Sequence, residues 1–315
     1  MSYTEKIQEI AKRLLEEGAV EMVIGFRKGT VPMMNEPCFV RSLPEVSQLV
    51  WDSNCGINLC NYLTDRKEKK IAIVAKGCDS RNIVTHILEN KIERDQLHII
   101  GVPCTAMIDK RRIAQDFVDD IIAVEEDDGK VIVKGHDKEK VYEKSEVLQE
   151  NCAICIHRNP VIHDELVADP VEEQADVDRY KDVRALEAMS PEERWQYFEQ
   201  ILEPCIRCYA CRNACPLCYC PTCFTDEHRP QWVGKSQNPI DVRTFHFLRA
   251  YHCAGRCTDC GACERVCPVG IPVRQFTKKL EKDALELFGW EAGMDPDKRP
   301  LLDFYKPNDP DEFIK

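Results

Sequence analysis

The chain has no apolar run of the roughly 18 residues that a membrane-spanning helix needs, so membrane insertion is not expected. It has no excess of basic charge: 43 Lys and Arg stand against 55 Asp and Glu, a net charge of -12. Nucleic-acid binding requires a basic surface and is set aside on that ground. The N-terminus is not expected to be a signal peptide. Met1–Gly18 places Ile7, Ile10, Ala11, Leu14 and Leu15 at helical spacing and closes on a glycine, which predicts an amphipathic helix in a cytoplasmic protein. The eight histidines form no metalloprotease or triad pattern, and no substrate-activating constellation stands out, so no catalytic residue is assigned.

What the chain does have is nineteen cysteines in 315 residues. Scaffolds stapled by disulfides are usually under about 100 residues and secreted. In a long chain without a signal peptide, cysteines are metal ligands, reactive thiols or small buried apolar residues. Their spacing separates these cases.

Two runs decide the C-terminal part. Cys205, Cys208, Cys211 and Cys215-Pro216 have the spacing C-x2-C-x2-C-x3-C-P, and Cys257, Cys260, Cys263 and Cys267-Pro268 repeat it. Three thiolates on a tight turn reach three corners of a cubane, while the fourth points away to the neighbouring cluster. Cys205, Cys208, Cys211 and Cys267 are therefore expected to hold one 4Fe-4S cluster, and Cys257, Cys260, Cys263 and Cys215 a second. Gly261 supplies backbone freedom inside the second turn. Zinc sites typically use two separated C-x2-C pairs per ion, which fits these runs poorly. Residues 204–272 resemble bacterial-type two-cluster ferredoxins, with a long insertion between Pro216 and Arg256.

Upstream, the pattern is α/β. Ala19–Gly25, Ile71–Ala75 and His98–Val102 read as strands, and Asn82–Leu88 as helical. Strand, helix and strand over some 30 residues is a βαβ unit with parallel strands. Ile121–Val124 and Val131–Lys134 flank the turn signal Asp128-Gly129 and read as a hairpin. Asp169–Asp182 is acidic and reads as a linker or solvated arm. Ser190, Pro191 and Glu193 form a capping box that opens a helix. A last helix is expected at about Val273–Leu287, ending at Gly289.

Cys78 and Cys104 each follow the end of a strand, and Cys152 and Cys155 form a C-x2-C pair just downstream. Parallel neighbouring strands end on one sheet edge, so these four thiols are expected to converge on a third 4Fe-4S site. Buried apolar cysteines are the alternative. Asp79-Ser80-Arg81-Asn82 opens a helix after a strand, and two readings stand: Ser80, Arg81 and Asn82 hold a flavin phosphate, or the stretch is an ordinary N-cap. Cys218, Cys220, Cys223 and Cys253 lie in the ferredoxin insertion. They read either as a further cluster or zinc centre, or as thiols that pack beside the module. Cys38, Cys55 and Cys60 read as structural.

Lys76-Gly77-Cys78-Asp79, Ile100-Gly101-Val102-Pro103-Cys104, and Cys152-x-x-Cys155 followed by Pro160–Val167 resemble the beta-subunit family of deazaflavin-reducing hydrogenases and formate dehydrogenases, over roughly residues 19–167. The resemblance implies FAD, a 4Fe-4S cluster on those four cysteines, and electron passage between a partner oxidoreductase and a soluble carrier.

The expected fold is therefore an α/β N-terminal domain with a parallel-sheet βαβ core, plus a C-terminal α+β ferredoxin-like two-cluster domain with an insertion. The segments are 1–168, an acidic linker and helix at 169–203, the ferredoxin module at 204–272, and a helix and tail at 273–315. The expected function is an iron–sulfur relay subunit of an anaerobic oxidoreductase complex, its partner a hydrogenase, formate dehydrogenase or heterodisulfide-reductase-like unit. Two competing readings are a self-contained flavin-dependent oxidoreductase that reduces a soluble carrier, and a metal-stabilised scaffold without electron transfer.

Overall fold

A computed structural model describes residues 1–66, 68–117, 120–127, 129–304 and 307. The chain divides into two compact units. One comprises residues 1–59, 65–80 and 92–177, and the other 60–64, 81–91 and 178–315.

The first unit is built on a mixed sheet. Its strands are β1 (Met22–Arg27), β2 (Glu36–Val40), β3 (Ile71–Lys76), β4 (Leu97–Val102) and, at the far edge, the short Glu165–Leu166. Spatial order runs β2, β1, β3, β4 and then Glu165–Leu166. Only the β1–β2 pair is antiparallel; the other neighbours run parallel. Ile71–Lys76 is buried along its whole length, as a central strand covered on both faces must be. The expected βαβ unit is present: β3 leads into a helix at Gly77–Leu88 and returns as parallel β4.

Helix α1 (Tyr3–Glu16) carries a capping box on Ser2 and Glu5 and buries Ile7, Ile10, Ala11 and Leu14, the stripe expected from the sequence. The Gly77–Leu88 helix is α2. Two short helices follow in this unit, α3 (Lys110–Ala114) and α4 (Glu150–Ala153). A separate antiparallel meander is formed by β5 (Ile121–Asp127), β6 (Lys130–Gly135) and β7 (Glu139–Glu143). The expected hairpin is its first turn. Gly129 takes φ 76°, and Asp128 lies outside the described residues. Strand β6 buries Val131 and Val133 and turns its alternate residues outward. The edge strand Glu165–Leu166 is β8.

The second unit is helical. Its helices are α5 (Lys181–Glu187), α6 (Pro191–Leu202), α7 (Ala210–Asn213), α8 (Pro239–His252), α9 (Ala262–Arg265) and α10 (Arg274–Phe288). Ser190 and Glu193 form the expected capping box of α6, and Gly289 closes α10 at φ 60°. Leu202, Val233, Val242, Phe245, Ile271 and Val273 form its core together with Cys211. Among the described residues no helix is long and apolar enough to cross a membrane.

Candidate metal centres

The two cysteine runs fold alike. In the first, Arg207 and Tyr209 take φ 52° and 59°; in the second, Asp259 and Gly261 take 56° and 71°. These positions lie two and four residues after the first cysteine of each run, so each run makes the same turn before its short helix, α7 or α9. Gly261 adopts the left-handed conformation without steric cost. Tyr209 must be held in it, and is. Its ring meets Phe245 edge-on at 5.1 Å, its hydroxyl accepts from Arg207 Nη2 at 2.8 Å, and Arg212 lies over its face at 4.8 Å.

These turns gather two rings of thiols. Cys211 lies within electrostatic reach of Cys205, Cys208 and Cys267, and Cys263 within reach of Cys215, Cys257 and Cys260. The second ring borders a small cavity that Cys253, Thr258 and Arg249 also line. Each ring thus takes three sulfurs from one run and the fourth from the other. Backbone amides point at two first-ring sulfurs: Arg207 N donates to Cys205 Sγ at 3.4 Å, and Ile271 N to Cys267 Sγ at 3.3 Å. Burial pushes the Cys257 thiol up to about 12 and raises Cys263 as well.

Four charged groups beside these rings escaped the sequence reading: Arg249, Asp259, Arg274 and Lys278. Arg249 on α8 is 3% exposed and donates from Nη2 to the Cys211 carbonyl at 3.0 Å. Burial alone would lower its pKa, but the sulfurs of Cys263, Cys215, Cys253 and Cys211 around it raise it, so it stays charged. Asp259 sits within the second run and accepts from Arg274 Nη1 at 3.0 Å and from Lys278 Nζ at 2.7 Å, all three groups being nearly buried. Asp259→Asn is expected to destabilise the protein by about 3 kcal/mol, because two buried cations lose their shared anion. Glu264 and Glu281 still pair with them and keep the loss at the low end of the range. Denaturant unfolding of the iron-loaded protein measures it.

In the first unit the sheet register positions Cys78 and Cys104. Lys76 pairs with Val102 across the parallel β3–β4 ladder, and each cysteine follows two residues later, at the same sheet edge. Cys104 lies within electrostatic reach of Cys152 and Cys155. Cys155 N bonds to Cys152 O at 3.3 Å, closing the C-x2-C turn, and Gln174 Nε2 donates to both cysteine carbonyls at 3.3 and 3.0 Å. Glu173 accepts from the amides of Arg158 and Asn159. Part of the acidic stretch that reads as a solvated arm therefore folds back and holds this loop.

Lys76 is buried beside the same thiols, with Nζ donating to Asp79 Oδ2 at 2.8 Å and to Ile57 O at 3.1 Å. Burial opposes its charge; Asp79, with Cys78 and Cys104, outweighs burial and keeps it protonated. Gly77 brings the start of α2 against the segment after Cys155, since a Cβ there would stand 2.2 Å from the His157 carbonyl oxygen. Gly77→Ala is expected to push the 157–159 backbone away and cost this site its iron. Iron analysis checks it, with both signals of the C-terminal module retained.

The remaining candidates fare differently. The Ser80 hydroxyl donates to Gly77 O and accepts from Val161 N, both at 2.8 Å. Arg81 donates from Nε and Nη2 to the Ala292 carbonyl at 3.0 and 2.8 Å, and Asn82 Nδ2 donates to Thr258 Oγ1 at 2.7 Å. All three residues are buried, so a phosphate there must displace these bonds. Cys218 and Cys253 are hydrogen-bonded to Cys215, which they lower while they themselves are raised, Cys218 to about 12. Cys223 instead accepts from the Thr225 hydroxyl at 3.3 Å, and Cys220 is exposed. The structure does not bring these four together. Cys38 and Cys55 are buried, and Cys55 accepts from Asn35 Nδ2 at 3.3 Å.

Among the described residues no three of His, Cys, Asp and Glu close tightly enough to hold a single metal ion. A cubane spreads four thiolates over four irons, so wider rings are what it needs.

Comparison with known proteins agrees with this chemistry. The "4Fe-4S dicluster domain" family matches residues 201–271. The chain is 25% identical to F420-dependent formate dehydrogenase subunit beta of Methanocaldococcus jannaschii, over 94% of this chain and 93% of that protein. It is equally 25% identical to F420-dependent formate dehydrogenase 1 subunit beta of Methanococcus maripaludis, over 94% of this chain and 92% of that one. Each alignment spans 362 positions, more than the 315 residues here, so the relatives carry segments with no counterpart in this chain. A chain from the F420-reducing NiFe hydrogenase complex of Methanosarcina barkeri superposes with a TM-score of 0.39 at 14% identity, covering 50% of this chain and 62% of that one. The resemblance read from the motifs is borne out in the curated relatives, and with the 4Fe-4S dicluster domain they support an iron–sulfur electron-transfer subunit of an oxidoreductase complex.

Proposed function

We propose that this chain relays electrons between a soluble carrier and a partner oxidoreductase of the formate dehydrogenase, hydrogenase or heterodisulfide-reductase-like class, through three 4Fe-4S sites. Cys205, Cys208, Cys211 and Cys267 hold the first, Cys257, Cys260, Cys263 and Cys215 the second, and Cys78, Cys104, Cys152 and Cys155 the third. The observation that carries the reading is the crossed pair of thiol rings, each completed by the fourth cysteine of the other run. Clusters bound there supply one-electron exchange.

The protein's own residues do the rest. Peptide N–H groups at Cys205 and Cys267 stabilise negative charge on sulfur. Buried cations stand beside the cysteines: Arg249 at the paired rings and Lys76 at the N-terminal set. Core packing around Cys211 shields that sulfur from water, while Cys208 on the same ring is exposed. A deazaflavin is the carrier class the relatives' names suggest. The donors of Ser80, Arg81 and Asn82 are engaged within the protein, so the reading leaves the flavin phosphate unassigned.

Anaerobic purification with iron, sulfide, zinc and flavin quantified tests this. About twelve irons per chain are expected, four for each cubane. Electron paramagnetic resonance after reduction should show interacting cubane signals. Zinc in place of iron, or silent iron, would leave a structural scaffold, and stoichiometric flavin with turnover of the isolated chain would favour the self-contained enzyme.

A further inference from the structure

The stretch between the two cysteine runs is long for a ferredoxin, and its main element is α8. Its N-terminus is capped by Asn238, whose side chain accepts from Ile240 N at 2.9 Å. Val242 and Phe245 pin one face into the core. On that face, three residues apart, stand His246 and Arg249, 2% and 3% exposed. Polar side chains this deep in an apolar core are costly unless they answer something charged.

Both face the thiols. His246 Nε2 lies 3.3 Å from Cys205 Sγ, while its Nδ1 has no hydrogen-bond partner. The ring is clamped edge-on by Phe245 at 4.9 Å. A thiolate at Cys205 can only accept, so Nε2 carries the proton and Nδ1 is bare. Protonating Nδ1 as well would bury an unpaired N–H donor. Arg249, one turn further on, is held by the Cys211 carbonyl of the first ring and lines the cavity of the second.

We infer that α8 tunes the paired clusters: His246, through its hydrogen bond to Cys205, raises the reduction potential of the first cluster alone, and Arg249 raises both. The inference rests on the assignment of the eight cysteines as cluster ligands. A hydrogen bond to a ligating sulfur draws electron density from it and favours the reduced, more negative cluster. Cys205 belongs to the first ring only, so this effect separates the two potentials. The Arg249 guanidinium is permanently charged and lies near sulfurs of both rings, so it favours adding an electron at either. It also weakens the repulsion between two anionic clusters in a low-dielectric interior. Both are positioning residues and bind no substrate.

The test is a redox titration followed by electron paramagnetic resonance on the full chain, purified anaerobically, with iron counted in each variant. His246→Leu should lower the midpoint of the first cluster and leave the second where it was, while His246→Gln, which keeps an N–H donor, should restore part of the shift. Arg249→Met should lower both midpoints, and Arg249→Lys should keep them near the original values. Unmoved midpoints in the Leu and Met variants with full iron overturn the inference. Should a variant lose iron, the unmodified chain labelled with 15N-histidine decides. A histidine nitrogen coupling confined to the first reduced cluster supports the hydrogen bond, and its absence overturns it. An unmodified chain without two cubane signals would instead refute the ligand assignment beneath the inference.

Discussion

Cys211→Ser is expected to remove one cluster, lower the iron content by about four per chain and markedly lower the stability of the second unit. The reasons are cumulative. Cys211 is 8% exposed and packs with Leu202, Val233, Val242, Phe245, Ile271 and Val273. A serine there offers a harder oxygen donor, poorly matched to a cubane iron. Without metal its hydroxyl is a buried polar group, costing about 1–3 kcal/mol if unpaired. Ligand binding in small metal domains is folding energy, on the order of 10 kcal/mol for structural zinc, so losing a cluster outweighs any single packing contact in this unit. On the proposed ligand sets each cluster borrows its fourth sulfur from the other run, so loss of the first should free Cys267 and loosen the run that holds the second. The second cluster's signal should persist at reduced occupancy. Iron analysis, spectra of the reduced protein and thermal unfolding measure the three effects. Unchanged iron and unchanged spectra would refute the assignment.

The dicluster character of residues 201–271 could be read from sequence because its demands are local. Three thiolates for one cubane must come from one turn, which fixes the C-x2-C-x2-C spacing, and the repeated positive φ at Arg207, Tyr209, Asp259 and Gly261 is that turn made twice. Of these four, only Gly261 announced itself in the sequence. The βαβ core was equally legible, since Ile71–Ala75 and Ile99–Val102 are apolar runs without alternation. Lys76, His246 and Arg249 were not. On a helix or strand a polar residue reads as solvated, and its burial depends on what another segment brings over it. Arg81 illustrates the same limit. It stands where a phosphate-binding arginine would, but is taken up by the carbonyl of Ala292, 211 residues further along the chain. The clustering of Cys218, Cys220, Cys223 and Cys253 in the insertion left a further metal centre open, while the fold turns Cys218 toward Cys215 and leaves Cys220 exposed.

At the N-terminal site, Cys104→Ser is expected to abolish one cluster, about four irons per chain, and leave both signals of the C-terminal module intact. The register argument makes this sharper than a simple loss. Lys76 pairs with Val102, and Cys78 and Cys104 each follow two residues beyond these neighbouring strand ends, so Cys78→Ser should reproduce the loss. Cys152→Ser and Cys155→Ser should do the same, since the proposed set includes both and their turn, tied by Gln174, lies within electrostatic reach of Cys104. Cys38→Ser is the control. Cys38 is buried in β2, where burial pushes its thiol up to about 11, and it lies outside the ring. That variant should cost about 1–2 kcal/mol for a buried hydroxyl and keep all the iron. With the cluster gone from the first unit, Lys76 remains a buried cation paired with Asp79, so the sheet should still fold. On the proposed three-site relay, electron exchange between a partner enzyme and a soluble carrier should then be lost while the paired clusters stay loaded. Exchange that continues at the original rate in Cys104→Ser, with the paired clusters loaded, would remove the N-terminal site from the relay.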